Sequence, residues 1–587
     1  MIEDLEMAEP ATAAEAPSET PPEPEPADVA EAVEPAGPRT VGQFIADTLR
    51  SAGVRMAFTV PGESFLGVLD ALEGAGIRVV ATRHEGGAAF MAEAYGQLTG
   101  RPAACLGTRA VGACNLAIGI HTARQDSTPM FALVGQVQRD FLGREAFQEV
   151  DQVATLGGLA KWAAQPMTAE EIPSVMAEAV RQALGGRPGP VLLSLPEDLL
   201  DEAAPQVDGA VPIRAGTARA TDDEICSVLH LLAGAQRPVI LAGAGVLRAR
   251  SSTELVKFAE LLHVPVIASW RHGDVIPNEH PLYLGMAGMA APEVVRERLA
   301  SADAILVLGS RLNELTSYGY TIPGTGTRWI HVDMEPGRPA DLPVAERQIV
   351  ADARTFLKAA NEIMISRGVL DAALVSARDA NNGADRAAWE AATVVDATPW
   401  DGPGVHPGKI ITSLRELLPD DAILTTDAGN FAGWAGRGFH FRRPGTFLGP
   451  TSGAMGYGLP AAIAAALVHR DRAVVALTGD GGLAMTLSEL ETAVREHARV
   501  VVLVFDNERF GTIRMWQDRR GVGQGIATEL GPVDFAAAAR AFGANGAHVK
   551  TDAEFEPALR RALAADGPTV IQLTLDKAWV SVDHPAG

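Results

Sequence analysis

The stretch from Ala473 to Asn507 constrains this chain more than any other. It reads as a strand, Ala473 to Leu477, then Gly479-Asp480-Gly481-Gly482, then a helical run from Thr486 to Glu496. The apolar run Val500 to Phe505 follows and is closed by Asp506-Asn507. Strand, Gly-rich turn, helix, strand is a βαβ unit, which implies a mostly parallel sheet covered on both faces. Glycines after a strand let backbone N–H groups approach an anion, and the start of a helix favours negative charge there. Asp480 offers a hard oxygen, and Asn507 offers an amide oxygen from the end of the next strand. One carboxylate and one amide oxygen, completed by phosphate oxygens, form a donor set that Mg2+ prefers. A Gly-Asp-Gly alone would be an ordinary turn. The Asp-Asn pair one strand later makes a metal–diphosphate site the better reading.

The same rhythm recurs along the chain. Met56 to Val60, Arg78 to Ala81, the strand opening at Ala103, Phe131 to Val134 and Val191 to Leu195 read as strands of a first domain. Pro238 to Ala242, Val264 to Ala268, Ala304 to Leu308 and Trp329 to Val332 make a second set, and Ala422 to Thr425 opens a third. The expected architecture is α/β, with three doubly wound Rossmann-like domains at 39–200, 223–360 and 403–587, joined by linkers at 201–222 and 361–402. In such sheets ligands collect at the carboxyl ends of strands. Glu85 falls there, just as a helix of small residues begins, although a Glu at that position also simply complements a helix dipole. Gly243-Ala244-Gly245 follows the first strand of the middle domain, but it lacks the third Gly of a dinucleotide fingerprint and is weak support for a nucleotide.

Composition narrows the classes. The net charge of −24 argues against a nucleic-acid-binding surface. Residues 1–38 are rich in Asp, Glu, Pro and Ala and hold no Lys or Arg, so they read as a disordered acidic tail rather than a targeting peptide. No apolar run approaches the roughly twenty residues of a membrane span. The three widely spaced cysteines read as reduced thiols of a cytoplasmic protein.

Gly479-Asp480-Gly481 followed by Asp506-Asn507 resembles the thiamine diphosphate (ThDP) motif, with Asp506 where the family usually carries Asn. Val60-Pro61-Gly62, Arg83-His84-Glu85, Ala88 to Ala92, Tyr95-Gly96 and Gly143 to Asp151 resemble the first domain of acetolactate synthase. Gly453 to Pro460 and Phe510 to Gln517 resemble its third. The resemblance implies that Asp480, Asn507 and the main-chain carbonyl of Arg509 hold Mg2+. It implies that Gly479, Gly481, Gly482, Asn430 and Phe431 flank the diphosphate, and that Met455 wedges under the cofactor while the Gly453 carbonyl faces its amino group. Glu85 would contact N1′ of the aminopyrimidine as the catalytic acid, with Gln136 beside the substrate. Phe147, Gln148, Arg109 and Trp516 would shape the substrate pocket. For Gln136, Phe147 and Gln148, turn and interface packing is an equally open reading, and Lys161 is a weaker candidate. Where relatives carry Ser-Gly-Pro-Gly-Ala-Thr-Asn, this chain has Arg109-Ala110-Val111-Gly112-Ala113-Cys114-Asn115.

The implied activity is decarboxylation of a 2-oxo acid, pyruvate first, with carboligation to a second carbonyl, because no His-His pair of the simple decarboxylases occurs. The implied partners are the 2-oxo acid and further copies of the chain, as a homodimer or homotetramer; a small regulatory subunit stays open. FAD is an open but unfavoured cofactor, because Asn313-Glu314-Leu315 replaces the Asp-Asp-Arg of FAD-containing relatives. The rivals are another ThDP enzyme (a 2-oxo acid decarboxylase, acyltransferase or oxidase), a flavin or nicotinamide oxidoreductase, and a catalytically silent subunit.

Overall fold

Three apolar strand sets close into three six-stranded sheets. The computed structural model describes residues 38–206, 218–337, 342–367, 370–521, 523 and 525–585. Residues 1–37 of the expected tail and 207–217 of the first expected linker lie outside the described residues. The first sheet holds β1 (Met56–Thr59), β2 (Arg78–Ala81), β3 (Ala103–Thr108), β4 (Met130–Gln136), β5 (Trp162–Ala164) and β6 (Pro190–Pro196), in the order β2-β1-β3-β4-β6-β5. The second holds β7 (Pro238–Ala242), β8 (Val266–Ala268), β9 (Tyr283–Met286), β10 (Ala304–Leu308), β11 (Arg328–Asp333) and β12 (Arg347–Val350), in the order β12-β11-β10-β7-β8-β9. The third holds β13 (Ile423–Thr426), β14 (Phe447–Leu448), β15 (Val474–Gly479), β16 (Val501–Asp506), β17 (Asn545–Val549) and β18 (Thr569–Thr574), in the order β14-β13-β15-β16-β18-β17. The pairings within all three are parallel. Each central strand is buried along its length, which is why it reads as an unbroken apolar run.

Topology places the site. In the third sheet the chain steps from β13 outward to β14, then returns to lay β15 on the other side of β13. The crevice at the carboxyl ends of β13 and β15 is therefore a switch point, where ligands bind in open α/β sheets. Gly479 pairs with Phe505 across β15 and β16, so Asp480 and Asp506 leave the sheet side by side.

The hydrophobic cores cross the domain boundaries. One joins the middle domain to one face of the third sheet, from Ile240 and Leu306 to Leu424 and Leu503. Another joins the first domain to the opposite face, from Phe90 and Met91 to Ala461, Ala465 and Val502. The helix Gly458–Val468, nearly all Ala, Leu and Ile, is buried from Gly458 to Leu467 and packs on the helix Glu85–Thr99. Phe90 meets Tyr457 edge to face at 5.4 Å. Small residues let these two helices approach closely.

The second expected linker, 361–402, is not a plain connector. It contains the helix Ala372–Ala392, whose Arg378, Asn382 and Trp389 are buried. Arg378 donates to the carbonyls of Leu262 and Ala235, and Trp389 packs against Tyr283 and His440. The Asn381-Asn382-Gly383 run suggests a loop by propensity, but three anchors on one face hold it as a brace on the middle domain.

Asp274 fastens the middle domain to the third. Its buried Oδ2 accepts the N–H of Thr446 at 2.8 Å and of Phe447 at 3.1 Å, while Oδ1 has no partner. Burial pushes its carboxyl up to about 6. A carboxyl raised in the folded state stabilises the fold below its unfolded pKa, and that stability is lost as pH rises through the folded value. Unfolding free energy is therefore expected to fall by about 2 kcal/mol between pH 4 and 6 through this group. Asp274→Asn should flatten that slope in urea titrations across the same range.

Candidate active site

The turn after β15 is built for an anion and a cation together. The helix Asp480–Thr486 begins immediately at Asp480. The expected single helix from Thr486 to Glu496 is instead broken, and a second helix, Glu489–Arg495, follows. Buried Asp480 accepts the N–H of Gly481 through Oδ1 at 2.9 Å and that of Arg509 through Oδ2 at 3.1 Å. The two ends of the sequence motif thus meet. Burial first, and then the neighbouring Asp506, push the Asp480 carboxyl up to about 6. A crowded, desolvated carboxylate of this kind is relieved by a divalent cation, so the donor set fits Mg2+. Asp506, the departure from the family pattern, stands beside Asp480 and is itself held by Gln572, which donates to its Oδ2 at 2.7 Å, and by the Glu508 N–H on Oδ1 at 3.3 Å. The Arg509 carbonyl accepts the N–H of Gly511, and its side chain pairs with Glu529. Among the described residues no group of three or more His, Cys, Asp or Glu could hold a metal ion. The expected metal set is of another kind: the Asp480 carboxylate, the Asn507 amide and the Arg509 carbonyl.

The cradle depends on glycine. A Cβ on Gly482 would lie 2.4 Å from Asp427 Oδ2, and one on Gly481 would lie 2.6 Å from the Phe510 ring and 3.5 Å from Met455 Cε. Met455 therefore reaches the Gly479–Gly482 turn, and Gly453 supplies a left-handed bend at φ +71° just before it. Phe431 lies against Gly479 and stacks on Phe505 at 5.5 Å. Asn430 accepts from Thr512 at 3.0 Å. Asp427, which follows β13, is buried and accepts from Gly458 N and Thr478 Oγ1. Phe431, Met455, Asp480 and Arg509 thus converge on the Gly479–Gly482 turn, while Asn430 meets Thr512 and Asn507 lies beside Gly511 at the start of the next helix. Trp516 stands on the helix Gly511–Arg519 with half its surface open, beside exposed Ile513.

A second group gathers at the first sheet. Glu85 is buried at the start of its helix, and Asn115 Nδ2 donates to its Oε2 at 2.9 Å. Glu85 Oε1 would stand 3.4 Å from a Cβ on Gly112, so glycine keeps that approach open. Asn115 was legible only as part of a segment that departs from the family pattern and reads as a loop; the structure makes Arg109–Asp126 a helix packed on the Glu85–Thr99 helix, which brings Asn115 to Glu85. Gln136 is buried with its amide committed to backbone, donating to Val150 O and accepting from Val137 N. It lines a cleft of about 500 Å³ with Glu149, Val150 and Asp151. Phe147 is 73% exposed, and Gln148 takes a left-handed φ of +62°.

Arg109 does not offer a free cation. Its guanidinium lies 3.2 Å from Glu63 and 2.9 Å from Glu197, and 5.8 Å from the Phe147 ring. The next N–H, of Ala110, donates to the Gln148 carbonyl at 3.0 Å. The residue clamps the Phe147–Gln148 turn onto the end of β3. Arg109→Ala is expected to cost about 1–2 kcal/mol by leaving two carboxylates without their cation. Thermal melting would show the loss, and amide exchange should rise between 143 and 150. Lys161 serves no site: it donates to the carbonyls of Gln182, Gly185 and Arg187 at the end of a helix.

The middle domain has its own cleft at the ends of β7, β8, β10 and β11, lined by Gly245, Arg248, Ser269, Gly309, Arg311 and Asp333. It offers about 30 Å³, room on the scale of a water and not of a flavin. Arg311 donates to the carbonyl of Gln125, and Arg248 to that of Asp126.

Comparison with known proteins agrees with this geometry. The thiamine pyrophosphate enzyme N-terminal TPP binding domain matches residues 39–155, the central domain 225–360 and the C-terminal TPP binding domain 427–573. The chain is 31% identical to a probable acetolactate synthase large subunit of Methanococcus aeolicus, over 92% of each. It is 30% identical to the acetolactate synthase isozyme 2 large subunit of Escherichia coli (strain K12), over 91% of this chain and 95% of that one. Among solved structures it is similar to a Rhodococcus jostii RHA1 thiamine diphosphate-dependent 4-hydroxybenzoylformate decarboxylase, with TM-score 0.78 and 26% identity, covering 92% of this chain and 99% of that one. Three sheets matched domain by domain, with the glycine-lined turn at Gly479–Gly482 in the third and Glu85 buried at a helix start in the first, place the chain in the thiamine pyrophosphate (thiamine diphosphate) enzyme family.

Proposed function

We propose that this enzyme decarboxylates a 2-oxo acid, pyruvate first among candidates, in a ThDP- and Mg2+-dependent reaction and joins the product to a second carbonyl. The observation that carries the reading is the pairing of buried Glu85 and Asn115 in a chain similar over nine-tenths of its length to two acetolactate synthase large subunits. ThDP, when bound, supplies the electron sink for decarboxylation. The chain's own residues do the rest. Asp480, Asn507 and the Arg509 carbonyl hold Mg2+ against the diphosphate, and the Gly479–Gly482 turn admits the phosphates. Met455 bears on the same turn. Asn115 holds Glu85 Oε2, which leaves Oε1 to exchange a proton with N1′ of the aminopyrimidine.

The two groups of residues meet in a dimer, or a dimer of dimers, with Glu85 from one copy and the Asp480 turn from another. Exposed apolar side chains flank each group and support a covering copy: Val111, Ile118 and Phe147 on one side, Met485, Ile513 and Trp516 on the other. Both relatives are named large subunits, which supports a smaller partner chain as well. No helix among the described residues is long and apolar enough to cross a membrane, and a cytoplasmic location belongs to the same proposal.

A second reading is simple decarboxylation, favoured by the structural similarity to a 4-hydroxybenzoylformate decarboxylase. Product analysis separates the two. With pyruvate, ThDP and Mg2+, the carboligase gives a 2-hydroxy-2-alkyl-3-oxo acid, whereas a decarboxylase gives the aldehyde. If no 2-oxo acid in a panel is consumed, both readings fall.

A further inference from the structure

Glu489 belongs to neither group of site residues, yet it joins them: it follows the Asp480 helix in the chain and its side chain contacts the run just before Glu85. It opens the helix Glu489–Arg495, two residues beyond the helix that begins at Asp480. Its side chain is fully buried and crosses to the first domain. There Oε1 accepts the N–H of Arg83 at 3.1 Å and of His84 at 3.0 Å, and Oε2 lies 3.3 Å from Arg83 N. Thr492 Oγ1 donates to Oε2 at 2.7 Å. All these partners are donors, which suits an ionised carboxylate. Burial raises this carboxyl while the donors from Thr492, Arg83 and His84 pull it back.

The place it grips is the run that delivers Glu85. His84 caps the Glu85–Thr99 helix, its Nδ1 accepting Gly86 N at 2.9 Å. Glu489 therefore holds the two N–H groups just before that helix. The packing is tight: a Cβ on Gly87 would fall 2.5 Å from Glu489 Oε1. The far end of the same short helix also clips β2, through Arg495 to the Ala81 carbonyl and through Glu496 to Arg78. A surface-lying connector would need none of this.

We propose that Glu489 is a positioning residue for Glu85, a carboxylate sent from the third domain to fix the backbone from which Glu85 projects. The inference rests on the reading of Glu85 given above. It adds a consequence: with Glu85 of one copy serving the Asp480 turn of another, Glu489 ties the metal turn of one site to the acid of its neighbour. An amide in place of the carboxylate would keep the packing against Gly87 and an acceptor for the N–H groups of Arg83 and His84; removal of the side chain would keep neither.

The test compares Glu489→Ala, Glu489→Gln and Gly87→Ala with Glu85→Gln in the full chain. In cofactor-free Glu489→Ala protein, amides 83 and 84 should exchange faster with solvent. With ThDP and Mg2+ but no substrate, exchange of the ThDP C2 hydrogen should slow about 100-fold, and kcat should fall by the same factor. The half-saturating concentrations of ThDP and 2-oxo acid should stay within about threefold, since displacement of an acid by roughly an ångström costs rate rather than binding. Glu489→Gln, which keeps an acceptor, should recover at least part of the lost rate. Gly87→Ala, which pushes the carboxylate aside without removing it, should slow C2 exchange too, and it carries the test if Glu489→Ala does not fold. Wild-type C2 exchange in Glu489→Ala and in Gly87→Ala would overturn the inference, as would a fall in kcat with C2 exchange unchanged. If Glu85→Gln itself leaves C2 exchange at the wild-type rate, the reading of Glu85 fails; if Glu85→Gln alone abolishes it, only the role of Glu489 fails.

Discussion

A Glu85→Gln protein is expected to bind ThDP and Mg2+ and to turn over about 10²–10⁴-fold more slowly than the wild type. The amide occupies the same volume and can still accept from Asn115, so the helix start and its cap stay in place. What it cannot do is hold a proton at Oε1 and return it. The loss should therefore lie in kcat, with the half-saturating concentrations of cofactor and 2-oxo acid within about threefold of wild type. Steady-state rates beside a calorimetric titration of ThDP would separate the two quantities. Full turnover in this variant would sink the assignment of Glu85, and with it the proposed chemistry. Loss of cofactor binding in parallel with rate would instead make Glu85 a ligand-holding residue.

The second large effect is expected at Asp480. Asp480→Ala removes the charge proposed to meet Mg2+ and also releases the N–H groups of Gly481 and Arg509, which it holds at 2.9 and 3.1 Å. Both ends of the cradle loosen at once. ThDP affinity at saturating Mg2+ is expected to weaken by at least about 100-fold, since disturbing even the outer partners of a metal costs 10–100-fold. Raising Mg2+ should not restore it, because the turn itself is lost. Asp506→Asn is the matched control. It removes the neighbouring charge that raises Asp480 but leaves the Gly481 and Arg509 N–H contacts of Asp480 in place, so cofactor affinity should stay close to wild type. Equal ThDP binding in the Asp480→Ala and wild-type proteins would remove this turn from the site.

Much of this could be read from the chain before folding. Internal strands such as β10 and β15 are covered on both faces, so their sequences are apolar without interruption and announce themselves. Edge strands do not. β12 shows one buried position in Arg347–Val350, and β17 carries Asn545 and His548 toward solvent, so neither has a pattern to detect. The Ala372–Ala392 helix was hidden for a related reason. Its polar surface and Asn-Asn-Gly run outweigh three buried anchors spread along one face. For the site, residues that repeat a motif, such as Asp480 and Asn507, were visible. Residues that act by meeting a distant partner were not. Glu489 lies 405 positions from His84, and nothing local marks it as that residue's acceptor. Arg109 stood out as an unexpected charge, but only the fold shows that Glu63 and Glu197 absorb it.

The cores that cross domain boundaries have a bearing on how such a chain can change. Its sequence divides into three repeating α/β segments and invites exchange of one segment for another. Its stability does not divide the same way. The third sheet lends one face to the middle domain and the other to the first, and the Gly458–Val468 helix has no side left for water. A grafted segment would have to match two foreign surfaces at once or leave them bare. Heritable change is thereby channelled into the turns at the strand ends and the loops around Phe147 and Trp516, where a side chain can be replaced without reopening either core.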